Sequence, residues 1–474
     1  MPDPLNGRII KLGAFFVAVG AWYAYLFYPG VMDWDSDSIH KMAQSGNYTD
    51  WFPPLFVLLW EITGSLWPNP GAIWILQTSL LLVGLFLLAY SMLRLERPWL
   101  ALALGIIALT PGFAHLFHEA TKDTFLGAAL VCFLGAVAHL LTTKRISQIT
   151  AVVLVLSIAV VSLVARHNAA FAVLPLMFAA FYAMVGSRKA VAIALLAFVA
   201  ISLTTTAFAK WGVGARSTAP VTSLIIFDLA GIANQTDVEA VDLVSDKESL
   251  DELQRCYTPR HWDTFAREGC QVFAGRVSRD YHATPIKMIM RWLQSIILHP
   301  IAYAKHRLSH FSSLLRVSEL ARDEVGISIW KAEHNPPNAK VRTHTAAAAY
   351  ERLASGLFYL VRPWVVLILT ALMLVYALQV LRKQRASEPI ALLVLAASSS
   401  SLAYTTGYLV VGVSSQFRYV YWLYVSSMLA GVLTVGLITD RRKHGRVAAM
   451  DSAERTVQRA STPQDRSGCR TRHR

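Results

Sequence analysis

The chain has 474 residues, 55% of them hydrophobic and only 16% charged, with a mean hydropathy of +0.43. A soluble protein carries about a quarter charged residues; here the charges form short clusters between long apolar runs, which excludes an ordinary soluble enzyme and predicts an all-α polytopic membrane protein. The formal net charge of +14 is not a nucleic-acid footprint, because Asp440 to Arg474 alone holds ten Lys/Arg against four Asp/Glu and most of the remainder lies at the ends of apolar runs, where it sets topology and meets anionic headgroups.

Taken in chain order, the apolar runs predict about ten transmembrane helices, near 9–28, 71–93, 99–117, 124–141, 148–165, 169–185, 190–209, 363–381, 389–412 and 419–438. None alternates polar and apolar residues as a barrel strand would. The first run is too long, and ends too rich in Trp and Tyr, for a cleavable signal peptide. The run Pro54–Trp67 is too short to span and is expected to lie along the outer surface or to re-enter. With the N-terminus and its Arg8 and Lys11 in the cytoplasm, every second loop should be basic. Arg94 and Arg97, Lys144 and Arg145, Arg188 and Lys189, Arg382, Lys383 and Arg385, then Arg441, Arg442 and Lys443 all fall in such loops. Both termini are therefore expected in the cytoplasm.

Two outer loops are large. The organisation read from the sequence is an N-terminal transmembrane module, 1–209, with a first outer loop at 29–70. An outer-face domain with interfacial helices follows at 210–362, then a C-terminal transmembrane module at 363–438 and a basic, disordered cytoplasmic tail at 439–474. In the outer domain, Ile289, Trp292, Leu293, Ile296 and Ile297 recur at helical spacing with Lys287 and Arg291 opposite, and Pro300 closes the run. This is either a helix lying in the membrane interface or an amphipathic helix packed on the domain. Thr345–Ala349 reads as an Ala-rich helix or linker. Cys132 lies mid-span and Cys469 in the tail; Cys256 and Cys270 share the large outer loop, where an oxidising compartment would let them pair.

Ionisable residues gather at the outer ends of the spans. Asp33, Asp35 and Asp37 precede His40 in the first outer loop. His115, His118, Glu119, Lys122 and Asp123 occupy the second. Arg166, His167 and Asn168 stand in a third, Gln416 and Arg418 in the last. A proton-coupled transporter would keep such groups near the bilayer midplane; an enzyme working on a lipid headgroup would place them here.

The run Tyr28-Pro-Gly-Val-Met-Asp33-Trp-Asp35-Ser36, continued by Gln44, Gly46, Tyr48 and Asp50-Trp51-Phe52-Pro53-Pro54, resembles the first outer loop of the polyprenol-phosphate-sugar glycosyltransferases of the GT-C superfamily. The bacterial members related to protein mannosyltransferases and lipid A aminoarabinose transferases are the most similar. Lys122-Asp123 opening a span, Arg166-His-Asn168 before Leu174-Pro175, Phe227-Asp-Leu-Ala-Gly231 and Arg418-Tyr-Val-Tyr421 are similar to segments of the same group. Phe52 departs from the pattern, standing where His is common; His40, His115 and His118 are candidates to supply what that His does.

The resemblance implies an inverting glycosyltransferase of a bacterial inner or plasma membrane, with its active site on the outer face. It would transfer a hexosyl or pentosyl unit from a polyprenyl-phosphate donor to a glycan, lipid or protein acceptor. Asp35 is then the candidate general base, with Asp33 and Asp37 as alternatives that could instead cap the following helix. Glu119 and Asp123 are candidates to orient sugar or acceptor, Lys122, Asn168, Tyr48 and His40 to bind substrate, and Arg418 and Arg166 to hold the lipid phosphate. A divalent metal ion is open, with His115 and His118 as weak candidate ligands. The alternatives from other classes are a transporter or lipid flippase and a non-catalytic membrane assembly protein.

Overall fold

The computed structural model describes residues 4–143, 147–236, 247–317, 333–341, 344–384 and 389–440. The basic tail with Cys469, the loop cations Lys144, Arg145 and Arg385, and all but the first two residues of the expected tail segment lie outside the described residues.

Helices account for the architecture. The N-terminal half runs α1 (Pro4–Phe27), α2 (Trp34–Ser45), α3 (Pro54–Leu66), α4 (Gly71–Arg94), α5 (Pro98–Leu109), α6 (Pro111–His115), α7 (Lys122–Thr142), α8 (Gln148–Leu163), α9 (Ala170–Val185) and α10 (Lys189–Ala207). After these come α11 (Val221–Ala233), α12 (Lys247–Cys256), α13 (Val272–Ala283), α14 (Pro285–Leu298), α15 (Pro300–Leu314), α16 (Thr345–Leu360), α17 (Pro363–Gln384) and α18 (Pro389–Val411). The last helix, α19 (Phe417–Asp440), opens with a 3-10 turn at Phe417–Val420.

Seven of these helices, α1, α4, α7, α10, α17, α18 and α19, are long and apolar enough to cross a membrane. Three of the ten expected spans correspond to shorter apolar helices: α5 has 12 residues, α8 and α9 have 16 each. The expected run 99–117 is interrupted. Thr110 is extended (φ −69°, ψ 140°) and Pro111, which has no N–H to continue the ladder, starts the separate α6. The short α3 is a 13-residue helix, about 20 Å long, that packs on α2 and α4 through Phe56, Val57 and Trp60.

The centre of the bundle is α7. It packs against α4, α8, α9 and α18, and 83% of its apolar window is buried, against 6% for the peripheral α10. Small residues make the closest crossing possible: Gly84 of α4 and Gly135 of α7 face each other backbone to backbone, and a Cβ on either would overlap the other helix's main chain.

A second hydrophobic core, separate from that of the bundle, is built by Ile225, Leu229, Ile232, Leu253, Phe265, Phe273, Val277 and Met288. It belongs to α11–α15. Within it Asp228 is wholly buried, paired with Arg307 at 2.5 Å and accepting from Trp292 Nε1 at 3.0 Å. Helix α14 packs Ile289, Trp292 and Ile296 on this core, as the second reading of its amphipathic pattern expects, while Ile286, Met290, Leu293 and Ile297 are exposed. The C-terminal part of the 210–362 segment does not share this core. Ala347, Ala354 and Phe358 of α16 are buried in the main bundle, and Trp22 of α1 donates to the Tyr350 hydroxyl at 3.1 Å. The Ala-rich stretch thus gives a helix whose small side chains permit docking against α6 and α1.

Gly135→Leu should lower the thermal midpoint of the detergent-purified protein sharply, since overpacking a tight core typically costs about 1–3 kcal/mol and here the obstacle is main chain. Gly275→Ala, where a Cβ meets nothing, should leave it unchanged.

Candidate active site

Three short backbone pairings bring distant segments to one end of the bundle. Val31 N–H donates to the His118 carbonyl at 3.1 Å and Ala120 N–H to the Val31 carbonyl at 2.8 Å, fixing the loop after α1 to the one before α7. Arg216 N–H donates to Tyr48 O at 2.9 Å and Asp50 N–H to Arg216 O at 3.0 Å. Trp262 N–H donates to Val413 O at 2.9 Å, holding the segment after α12 against the turn between α18 and α19.

Local capping then aims the side chains. Asp33 is the N-cap of α2: its Oδ1 accepts from both the N–H and the hydroxyl of Ser36 at 2.7 Å, leaving Oδ2 free to face elsewhere. Thr121 and Thr124 form a reciprocal cap on α7, which puts Lys122 and Asp123 in its first turn. An anion there is favoured by the helix dipole.

These elements converge on Arg418. Its guanidinium pairs with Asp33 through Nη1, lies 2.8 Å from Asp35 Oδ2 through Nη2, and stands 3.7 Å from Asp123 Oδ2 through Nε. Lys122 Nζ is 2.5 Å from Asp35 Oδ2, and Arg166 Nη1 pairs with Asp123 Oδ1. The Tyr419 ring underlies both arginines, 4.5 Å from Arg166 Cζ and 5.3 Å from Arg418 Cζ, and the Phe52 ring lies 4.7 Å from Lys122 Nζ. Three carboxylates and three cations thus form one compact, formally neutral cluster.

The cluster forms the floor of a cavity of about 1240 Å³. Asp33, Asp35, Lys122, Arg166, Asn168 and Arg418 all line it. The Asn168 Oδ1 atom is buried there without a hydrogen-bond partner. Behind the lining, Glu119 is fully buried; it accepts from the hydroxyl of Tyr421, itself a lining residue, at 2.9 Å, and from Thr121 at 3.4 Å. Burial pushes the Glu119 carboxyl up to about 7, against the pull of those two hydrogen bonds.

Other residues singled out in the sequence lie elsewhere. Asp37 pairs with Lys41 at 2.7 Å on the exposed side of α2. His40 accepts from Trp60 Nε1 at 3.2 Å in the α2–α3 contact, and the Tyr48 hydroxyl donates to Glu61. His115 and His118 are buried and stacked face to face with centroids 4.1 Å apart, His118 Nδ1 engaging the His115 carbonyl. None of His40, His115 and His118 lines the cavity; His167 and His261 do.

The His115 and His118 imidazoles are parallel, and the three carboxylates of the cluster face an ammonium and two guanidinium groups. Among the described residues no group of three His, Cys, Asp or Glu is arranged to hold a metal ion.

One wall was not foreseen. Arg260, His261, Trp262, Asp263 and Arg267 all face the cavity from the segment between Cys256 and Cys270, which form a disulfide with Cα atoms 5.9 Å apart. The Trp262 ring meets Trp51 of the first loop at 5.6 Å. The available signal was compositional: a dense run of ionisable and aromatic residues between two cysteines in a loop expected to face an oxidising compartment.

Glu119 generates a pH prediction. Its folded-state value lies above the ordinary 4.5, so the stability tied to its protonated form is complete below about 4.5 and is lost as pH rises through about 7. The thermal midpoint should fall between pH 5 and pH 7.5, and Glu119→Gln, which stays neutral, should flatten that fall. Parallel curves for the two proteins would refute it.

No protein-family model matches the chain, and no curated protein matches it. Among solved structures it is similar to a crystal structure of the Archaeoglobus fulgidus oligosaccharyltransferase tethered by a disulfide to an acceptor peptide containing the NVT sequon. That alignment has 12% identity and a TM-score of 0.39, covering 91% of this chain and 50% of the other. It is likewise similar to the archaeal oligosaccharyltransferase AglB from the same organism in complex with an inhibitory peptide and a dolichol-phosphate, with 12% identity, a TM-score of 0.40, and coverage of 94% and 52%. The chain spans about half the length of these structures, and a likeness at this identity and score assigns it neither reaction nor ligand.

Proposed function

We propose that the protein is a membrane glycosyltransferase of the GT-C type. It transfers a sugar from a polyprenyl-phosphate donor, with inversion, to an acceptor at the non-cytoplasmic face. The observation that carries this reading is an amphiphile-shaped pair of cavities. The charged cavity and an almost wholly apolar groove of about 460 Å³, lined by α16, α17 and α19, both draw lining residues from α19. Tyr421 lines the first and Tyr424, one turn further along α19, lines the second. Phe358 and Phe417 pack between them, with ring centroids 5.1 Å apart. A headgroup phosphate in the cavity and an isoprenoid chain in the groove would suit this division.

The chemistry asks for little more than the cluster offers. In a single displacement the acceptor hydroxyl attacks the anomeric carbon and the polyprenyl phosphate departs with the bonding electron pair. That leaving group needs positive charge rather than a proton, and Arg418, Lys122 and Arg166 are gathered for it. Asp33, Asp35 and Asp123 hold these cations in place before the donor arrives. An aspartate of the cavity takes the hydroxyl's proton; Asp35 is the one the sequence suggests.

A transporter would keep its ionisable residues halfway along the helices. Here Lys122 and Asp123 stand at the start of α7, Arg166 beyond the end of α8, and Arg418 at the start of α19.

Purified protein in detergent, supplied with undecaprenyl-phosphate carrying radiolabelled mannose, glucose, arabinose or aminoarabinose and a membrane extract as acceptor, should move label out of the donor pool. Arg418→Met should reduce kcat/KM by roughly 10²–10³-fold, the scale for removing one preorganised electrostatic contact. EDTA should leave the wild-type rate unchanged. Label that stays on every donor would overturn the reading.

A further inference from the structure

The proposed reaction needs one carboxylate that is free to accept a proton, and the cluster holds its carboxylates engaged. Asp33 caps α2 with one oxygen and pairs with Arg418 through the other. Asp35 faces both Lys122 and Arg418 through a single oxygen, and Asp123 is pressed between Arg166 and Arg418. The cluster's cations thus already occupy an oxygen of each of these three carboxylates.

Asp263 differs. It is the second residue of the short 3-10 helix Trp262–Ala266 and lines the same cavity. Among the described residues its carboxylate joins no ion pair and accepts no hydrogen bond; it is half-buried yet open to the cavity. Its backbone position is fixed: Trp262 N–H is bound to Val413 O at 2.9 Å, the Trp262 ring rests against Trp51, and Phe265 two residues on is buried in the second core.

We propose, on the transferase reading above, that Asp263 is the general base and that the Arg260–Arg267 wall is the acceptor side of the cavity. The Asp35 cluster is then the donor-phosphate side. The acceptor hydroxyl gives its proton to an Asp263 carboxylate oxygen as its own oxygen bonds to the anomeric carbon. The bond from that carbon to the phosphate oxygen breaks, and the electron pair leaves on the polyprenyl phosphate, which gains a negative charge beside Arg418, Lys122 and Arg166. Protonated Asp263 then returns its proton to water in the cavity. The environment suits the role: burial raises the Asp263 carboxyl above its ordinary range and the Asp35 charge adds to this, while His261 and Arg267 pull the other way. Arg260 and Arg316 are the other charged groups lining this part of the cavity.

The tandem Trp51–Trp262 surface beside this carboxylate gives the acceptor a chemical class. The two indoles, from different loops and tilted at 51° to each other, each offer a flat apolar face with a polar edge at the cavity wall, and such a face fits the C–H face of a pyranose ring. The acceptor hydroxyl is accordingly assigned to a carbohydrate.

The test compares wild type, Asp263→Asn, Asp263→Glu and Asp35→Asn in the full-length purified protein, using the donor that wild type turns over and its membrane-extract acceptor. Thermal midpoints verify folding. Asp263→Asn should lower kcat about 10²–10⁴-fold, leave the donor KM unchanged and abolish the acidic limb of the pH–kcat profile. Asp263→Glu should restore part of the rate with a displaced limb. Asp35→Asn should raise the donor KM and keep the limb. Wild-type transfer with Asp263→Asn equal to it in rate and profile would overturn this assignment alone, as would an acidic limb that vanishes in Asp35→Asn instead. A wild type inert with every donor would remove the transferase reading and this proposal together. Label released by mild acid from protein or lipid carrying no glycan would overturn the carbohydrate acceptor.

Discussion

Arg418 is the side chain on which the site end of the molecule is assembled. It meets carboxylates from two elements far apart in the chain, Asp33 and Asp35 of the α2 start and Asp123 of the α7 start, while itself opening the last helix. Placing so many ionised groups together at 1–18% side-chain exposure is tolerable only because each has an opposite partner. Removing one member of such a set leaves the others uncompensated, which is far more costly than the net worth of any single pair. The geometry of that end is therefore set by charge balance as much as by packing.

The balance also gives the cluster a chemical character. Cations that are already paired are desolvated and positioned, and on the reading proposed above a phosphate would exchange places with carboxylates rather than with water. Preorganisation of this kind reduces the reorganisation needed when charge develops. The aromatic rings of Tyr419 and Phe52 sit beside the cations and exclude solvent from them without taking their hydrogen-bonding directions. Phe52, which departs from the pattern its neighbours resemble, has this physical task in the structure.

Much of the bundle could be read from hydropathy because lipid imposes one solution on any long apolar run. The interruption at Thr110-Pro111 was missed because the flanking residues are uniformly apolar and only Pro111 marks the break. Within the site, Asp33 was legible as a cap of the following helix, whereas the reciprocal Thr121–Thr124 cap on α7 was not read. The pairing of Arg418 with Asp33 and Asp35 spans more than 380 positions and has no local trace; only the clustering of charges at span ends hinted at it. Asp37 stood as an alternative to Asp35 in the sequence, but positions two apart on a helix point in different directions, and of the two only Asp35 is turned to the cavity. The Arg260–Arg267 wall was hidden for a different reason. Its place depends on backbone pairing with Val413 and on a second core whose residues are scattered from Ile225 to Ala302.

The disulfide between Cys256 and Cys270 closes the loop that carries this wall, so the cavity's shape is tied to the thiol chemistry of its surroundings. In a reducing compartment the same polypeptide would keep its bundle and its Arg418 cluster, which contain no disulfide, yet lose the covalent clamp on one side of the cavity. If this loop lies on the oxidising side, as the charge pattern leads one to expect, the clamp closes only there.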